Sequence, residues 1–135
     1  MQYPLPEFLD RLAIVRVKLD HTEEVRAEYE VMQEVFLTLL ESYGGDLSKY
    51  LQRLYEIHRT IWGFEASLRQ GQLGDYPVGP ELHSLSREEL LQLAAVGQQA
   101  INIRNTNRLR KKVQCEIVDH WGEGFKDIKV NHASE

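Results

Sequence analysis

Four stretches of the chain place apolar residues three or four positions apart, the pattern of helices that bury one face. In the first, Phe8, Leu12, Val15 and Leu19 keep this spacing, and Pro6 stands in a first turn that has no use for its missing N–H. After a break at Asp20-His21-Thr22, Thr22 is placed to cap a second helix whose first turn holds Glu23 and Glu24, two carboxylates at the positive end of the helix dipole. Its stripe runs Val25, Tyr29, Met32, Phe36, Leu39, Tyr43 and ends at Gly44-Gly45. A third helix, capped by Asp46, aligns Leu47, Leu51, Leu54, His58, Ile61, Glu65 and Leu68 before Gly71. Ser86 and Glu89 form a capping box that opens a fourth helix running to about Trp121, with Gly97 as a point of bending.

The pattern predicts helices over about 6–20, 23–43, 47–70 and 87–121 and a long glycine- and proline-rich connection before the fourth. A tail over 122–135 follows, in which Phe125, Ile128 and Val130 alternate as an extended segment docked on the helices. No repeat and no sheet-length alternation appears. The expected fold is all-α, an antiparallel up-down-up-down four-helix bundle forming one domain over 1–135.

The fourth helix breaks its own apolar rule. Its core-facing positions run Leu93, Val96, Ala100, Ile103, then Asn107, Arg110 and Gln114, and only then Ile117. The third does the same at His58 and Glu65, and the first carries Asp10 and Lys18 beside its seam. A buried charge without a partner is very costly, so these groups must pair or reach water. Up-down geometry predicts Asp10 with Arg110 at one end of the bundle and Lys18 near Glu65 at the other. Such groups either fix helix register or line a pocket between facing helices. Trp62 and Arg69 flank Glu65, and Gly63 beside them leaves room for a close helix contact or a ligand.

Charge and composition narrow the functions. A net charge of −5 disfavours general binding to nucleic acid or an anionic membrane, and no apolar run reaches the length of a membrane span. The opening residues lack the basic and apolar regions of a signal peptide, so a cytoplasmic protein is expected. The single cysteine, Cys115, excludes an internal disulfide and reads as an inert buried thiol. Arg104, Arg108, Lys111 and Lys112 form a basic strip on the outer face of the fourth helix, while acidic residues crowd the second. Intramolecular complementarity or a solvated face accounts for both; phosphate or RNA binding is the alternative, weakened because no stacking aromatics interleave with the cations.

Enzyme motifs are missing. There is no phosphate-cradling glycine loop, no nucleophile elbow, and no Glu-x-x-His pair of the helical di-metal fold. Glu116 and His120 are a conceivable but isolated metal-ligand pair. No cofactor or metal is expected.

Four blocks, EFLDRLAIVRVKL (7–19), IHRTIWGFEASLRQG (57–71), AINIRNTNRLRKKVQCEI (100–117) and FKDIKVNHASE (125–135), resemble a family of small, uncharacterised bacterial and phage-associated helical proteins. The matching positions are Asp10 to Leu12, then Ile61, Trp62, Glu65 and Arg69, then Asn107 and Arg110, and Lys129 in the tail. Gly63 stands where an acidic residue is usual in that family and Gln114 where a lysine is. The resemblance implies no activity, but it falls on the polar seam residues.

The leading expectation is therefore a non-enzymatic binding or adaptor module. Asp10, Lys18, His58, Trp62, Glu65, Arg69, Asn107 and Arg110 would line a polar pocket for a small polar or anionic ligand or a partner's peptide. A second reading is an enzyme acting on a nucleotide or sugar phosphate with Glu65 or His58 as general base. A third is a structural homo-oligomer in which the long fourth helix overhangs and Trp121 buries against a second copy.

Overall fold

The computed structural model describes residues 2–69, 84–122 and 128–129, with side chains over 3–67 and 84–122. Its helices are α1 (Leu5–Leu19), α2 (Arg26–Tyr43), α3 (Asp46–Arg69) and α4 (Arg87–Trp121). They pack as a helical bundle. Two short extended segments, β1 (Gln2–Tyr3) and β2 (Ile128–Lys129), pair antiparallel, Gln2 opposite Lys129 and Tyr3 opposite Ile128. At Ile128–Lys129 the tail is extended, as its alternation predicts, and it pairs there with the start of the chain. Phe125 and Val130 and most of the 70–86 connection lie outside the described residues.

α1 is the helix around which the others assemble. Nine of its fifteen residues are buried, and it touches each of the other three helices. Leu5, Phe8, Leu9 and Leu12 on α1 are fully enclosed with Met32 of α2, Leu47 and Leu54 of α3, and Ile117 of α4. The most extensive packing is of α3 on α4 and of α1 on α3. Contacts on α4 fall in number as α3 is followed upward, from Asp46 with His120 to Arg53 with Glu116, so these two helices run antiparallel.

Local chemistry explains the helix ends. In α4 the Glu89 N–H donates to Ser86 Oγ and the Ser86 N–H to the Glu89 carboxylate, both at 3.1 Å, the capping box read from sequence. Gly44 closes α2 at φ +89°, a conformation a side chain would strain, while its N–H bonds Leu40 O. The start of α2 differs from expectation. Thr22 Oγ accepts the Glu24 N–H at 3.3 Å within a separate turn, and Glu23 is held by Arg26 at 2.7 Å, so the helix begins only at Arg26.

Three further expectations change. Cys115 is exposed rather than buried, because it points away from the side that buries Val113 and Ile117. The overhang of α4 is at its other end. Trp121 packs edge-on against Tyr43 and Tyr50, whereas no residue between Arg87 and Asn105 is buried. The basic strip of α4 is exposed as expected, but among the described residues it makes no salt bridge with the acids of α2, since α2 packs on α1 and α3. Among the described residues no helix is long and apolar enough to cross a membrane.

Leu54 lies at the centre of this packing, fully enclosed between α1 and α4. Leu54→Ala should lower the unfolding free energy by about 2–5 kcal/mol, read from urea titration, with helical content retained in water.

Candidate functional site

Asp10 on α1, His58 on α3 and Arg110 on α4 come from three different helices and meet at one carboxylate. Asp10 is 4% exposed. Its Oδ1 accepts from His58 Nε2 at 2.7 Å and from Arg110 Nε at 2.9 Å, and its Oδ2 accepts from Arg110 Nη2 at 2.7 Å. The guanidinium thus grips the carboxylate with two adjacent nitrogens, the planar fork that arginine alone provides. Arg110 Nη1 donates onward to Asn107 Oδ1, one turn earlier on α4, at 3.4 Å.

Each member reaches this point because of its place on a stripe. His58 follows Leu54 and precedes Ile61 on the buried face of α3, and Arg110 lies between Thr106 and Val113 on α4. Burial works against ionising Asp10, but the hydrogen bonds from His58 and Arg110, together with their electrostatic pull, outweigh it. The carboxyl is held below the ordinary aspartate value.

Beside the network lies a cavity of about 290 Å³. Ile14, Val17 and Ile61 form its apolar part, and Lys18, His58, Trp62, Glu65, Asn107 and Arg110 its polar and aromatic part. Trp62 stacks on His21 with ring centroids 4.5 Å apart and planes 7° from parallel, so the wall of the cavity is tied to the turn after α1. That end of α1 is fixed further by Tyr55, whose hydroxyl donates to Asp20 at 2.5 Å, and by Arg16 lying 4.2 Å over the Tyr55 ring.

The predicted residues divide clearly. Lys18, His58, Trp62, Glu65, Asn107 and Arg110 line one cavity, and Asp10 lies behind it as the common acceptor. The Asp10–Arg110 pair forms as predicted. Lys18 and Glu65 do not pair, although both line the cavity, because Glu65 turns to the exposed side of α3. Arg69 ends α3 and its side chain lies outside the described residues. Gly63 faces open space, with nothing within 4 Å of a Cβ placed there, so it does not serve a close helix contact.

Sequence reasoning missed the bond between His58 and Asp10 and the contribution of His21. The first was open to discovery, since both residues interrupt apolar faces; the second was not, because a turn has no periodicity. On α4 the most buried positions are Thr106, Val113 and Ile117, with Asn107, Arg110 and Gln114 half-buried alongside them. Thr106 is accommodated by donating to Asn102 O at 2.7 Å. The Glu116–His120 pair is otherwise engaged, Glu116 by Arg53 at 2.5 Å and His120 near Asp46 at 3.4 Å. Among the described residues no three potential metal ligands gather.

Comparison with family models, curated proteins and solved structures finds no match to the chain.

Two outcomes follow from the buried carboxylate. Arg110→Met removes its strongest partner, and urea titration should read a loss of ~3 kcal/mol, the low end for a broken buried pair because Arg110 is itself a third exposed. A carboxyl held low in the folded state stabilises the protein above its unfolded value, and this contribution disappears as pH falls through the folded value. Wild type should therefore lose stability more steeply than Asp10→Asn as pH is lowered from about 4.

Proposed function

We propose that the chain is a non-enzymatic binding module whose cavity between α1, α3 and α4 takes a small polar ligand bearing a carboxylate or phosphate, or such a group on a partner's peptide. The observation that carries this reading is the state of Arg110. Its guanidinium is already oriented by Asp10 and Asn107 and still lines the cavity. Of its five N–H groups these bonds use one on each nitrogen, which leaves two to give. A donor fixed before the ligand arrives loses little freedom on binding.

Lys18 adds a second cation that has no ion-pair partner among the described residues, and Trp62 supplies a flat apolar wall. The cavity volume of about 290 Å³ suits a small ligand rather than a dinucleotide. The resemblance of these same blocks to a family of small helical proteins supports a shared site, and a cytoplasmic setting fits a chain with one exposed thiol.

A second reading, an enzyme acting on a nucleotide or sugar phosphate, is favoured by one contact. A carboxylate accepting from His58 Nε2 fixes the ring while His58 also lines the cavity, an arrangement suited to a general base. Glu65 is exposed at the same cavity. Among the described residues no hydroxyl or thiol side chain lines it, so a base there would act on bound water or on the ligand itself.

A thermal-shift panel of carboxylates, sugar phosphates and nucleotides tests the binding reading. A true ligand at one hundred times its Kd stabilises by ~2.7 kcal/mol, a rise in Tm of about 5–10 °C. Lys18→Met should abolish the rise while leaving the unliganded Tm within a few degrees of wild type. A panel without a shift, or a shift indifferent to Lys18→Met, contradicts the binding reading. Turnover of a shifting ligand that His58→Gln removes decides for the enzyme.

A further inference from the structure

The two outward stripes left unpartnered in the bundle match each other. On α4, Leu90, Ala94, Gly97, Ile101, Arg104 and Arg108 follow one another at alternating steps of four and three, and all six are exposed. On α2 the same alternation picks out Glu30, Glu34, Leu37 and Glu41, all exposed, on the side opposite Met32 and Phe36, which enter the core. Among the described residues Leu37 at 53% and Ile101 at 44% are two of five large apolar side chains open to solvent. None of Glu30, Glu34, Glu41, Arg104 and Arg108 forms a salt bridge among the described residues.

We propose that α2 of one copy of this chain docks antiparallel on α4 of a second copy. One register sets the apolar residue of the α2 stripe on an apolar residue of α4 and two of its glutamates on arginines. With Leu37 set against Ile101, Glu34 meets Arg104 and Glu30 meets Arg108, while Glu41 passes over Gly97. Steps of four and three in opposite directions are the seam of an antiparallel coiled coil, in which the two kinds of core position face each other. Gly97 lets the helices approach. Shifting either helix by one turn sets Leu37 against Arg104 or Gly97 and loses the apolar contact.

The two stripes cannot meet within one copy. α2 packs on α1 and α3 and reaches α4 near Trp121, through Tyr43, not over Gly97 to Arg108. The complementarity of an acidic second helix and a basic fourth helix is therefore left for a neighbour. The contact is heterologous, two different surfaces of the same protein, so it closes into a ring if the rotation allows and otherwise runs on as a chain. Two apolar residues and two ion pairs make a small, polar seam. It is weak, and it is sensitive to salt because exposed charges are screened.

Charge reversal provides a decisive test, since all four charged positions are exposed and the changes leave the core intact. Sedimentation velocity is run on wild type from micromolar to near-millimolar concentration, at low salt and at 1 M salt, where the Debye length is about 3 Å. Wild type should self-associate at low salt and dissociate at high salt. Arg104→Glu/Arg108→Glu and Glu30→Arg/Glu34→Arg, each folded by circular dichroism, should each associate about tenfold or more weakly. In an equimolar mixture the two variants again present opposite charges at both contacts, so association should return. A wild type that stays monomeric throughout overturns the proposal. So does association indifferent to either variant, or a mixture that stays apart.

Discussion

A single carboxylate dictates how three of the four helices meet. Asp10 is almost completely enclosed on the helix that forms the centre of the core. A charge in that position is tolerable only if its oxygens are filled by donors with the right geometry, and each donor comes from a different helix. His58 specifies the rotation of α3 about its axis, and Arg110 does the same for α4. Apolar stripes alone would allow either helix to slide by a turn, since leucines at successive turns are nearly interchangeable. The network removes that freedom, because a slip of one turn leaves a buried anion without its cation.

The same bonds prepare the cavity. Pulling Arg110 toward α1 opens space on the side of Asn107 and Lys18, and fixing His58 turns its ring into the wall of that space. Trp62 stands against His21, which ties the far wall to the turn between α1 and α2. The network and the lining of the cavity thus share the same side chains. The groups that hold the helices in register are also the groups a ligand would touch.

The fold was largely legible in the chain because burial imposes spacing. Met32 and Phe36, Leu47 to Ile61, and the Ser86–Glu89 capping box follow from periodicity and local hydrogen bonding. Asp10 and Arg110 were legible as partners for a similar reason: two charges on apolar faces at the same end of a bundle have few other places to go. What was not legible depended on the angle between helices and on turns. Lys18 and Glu65 flank one cavity without touching, since spacing along a helix says nothing of the gap across it. The exposure of the first half of α4 likewise reflects where the neighbouring helices end, whereas Cys115 is exposed because it faces away from buried Val113 and Ile117. The stacking of His21 on Trp62 arises in a turn that carries no period.

The central claim is that Asp10 and Arg110 act as one unit. A double-mutant cycle in urea, combining Asp10→Asn with Arg110→Met, measures that coupling directly. The account predicts a double variant much less destabilised than the two single losses combined, with an interaction energy of about 1–3 kcal/mol, because removing both charges leaves neither stranded. Losses that add within about 0.5 kcal/mol would mean that the two residues stabilise the bundle independently, and that the carboxylate does not set how the helices meet.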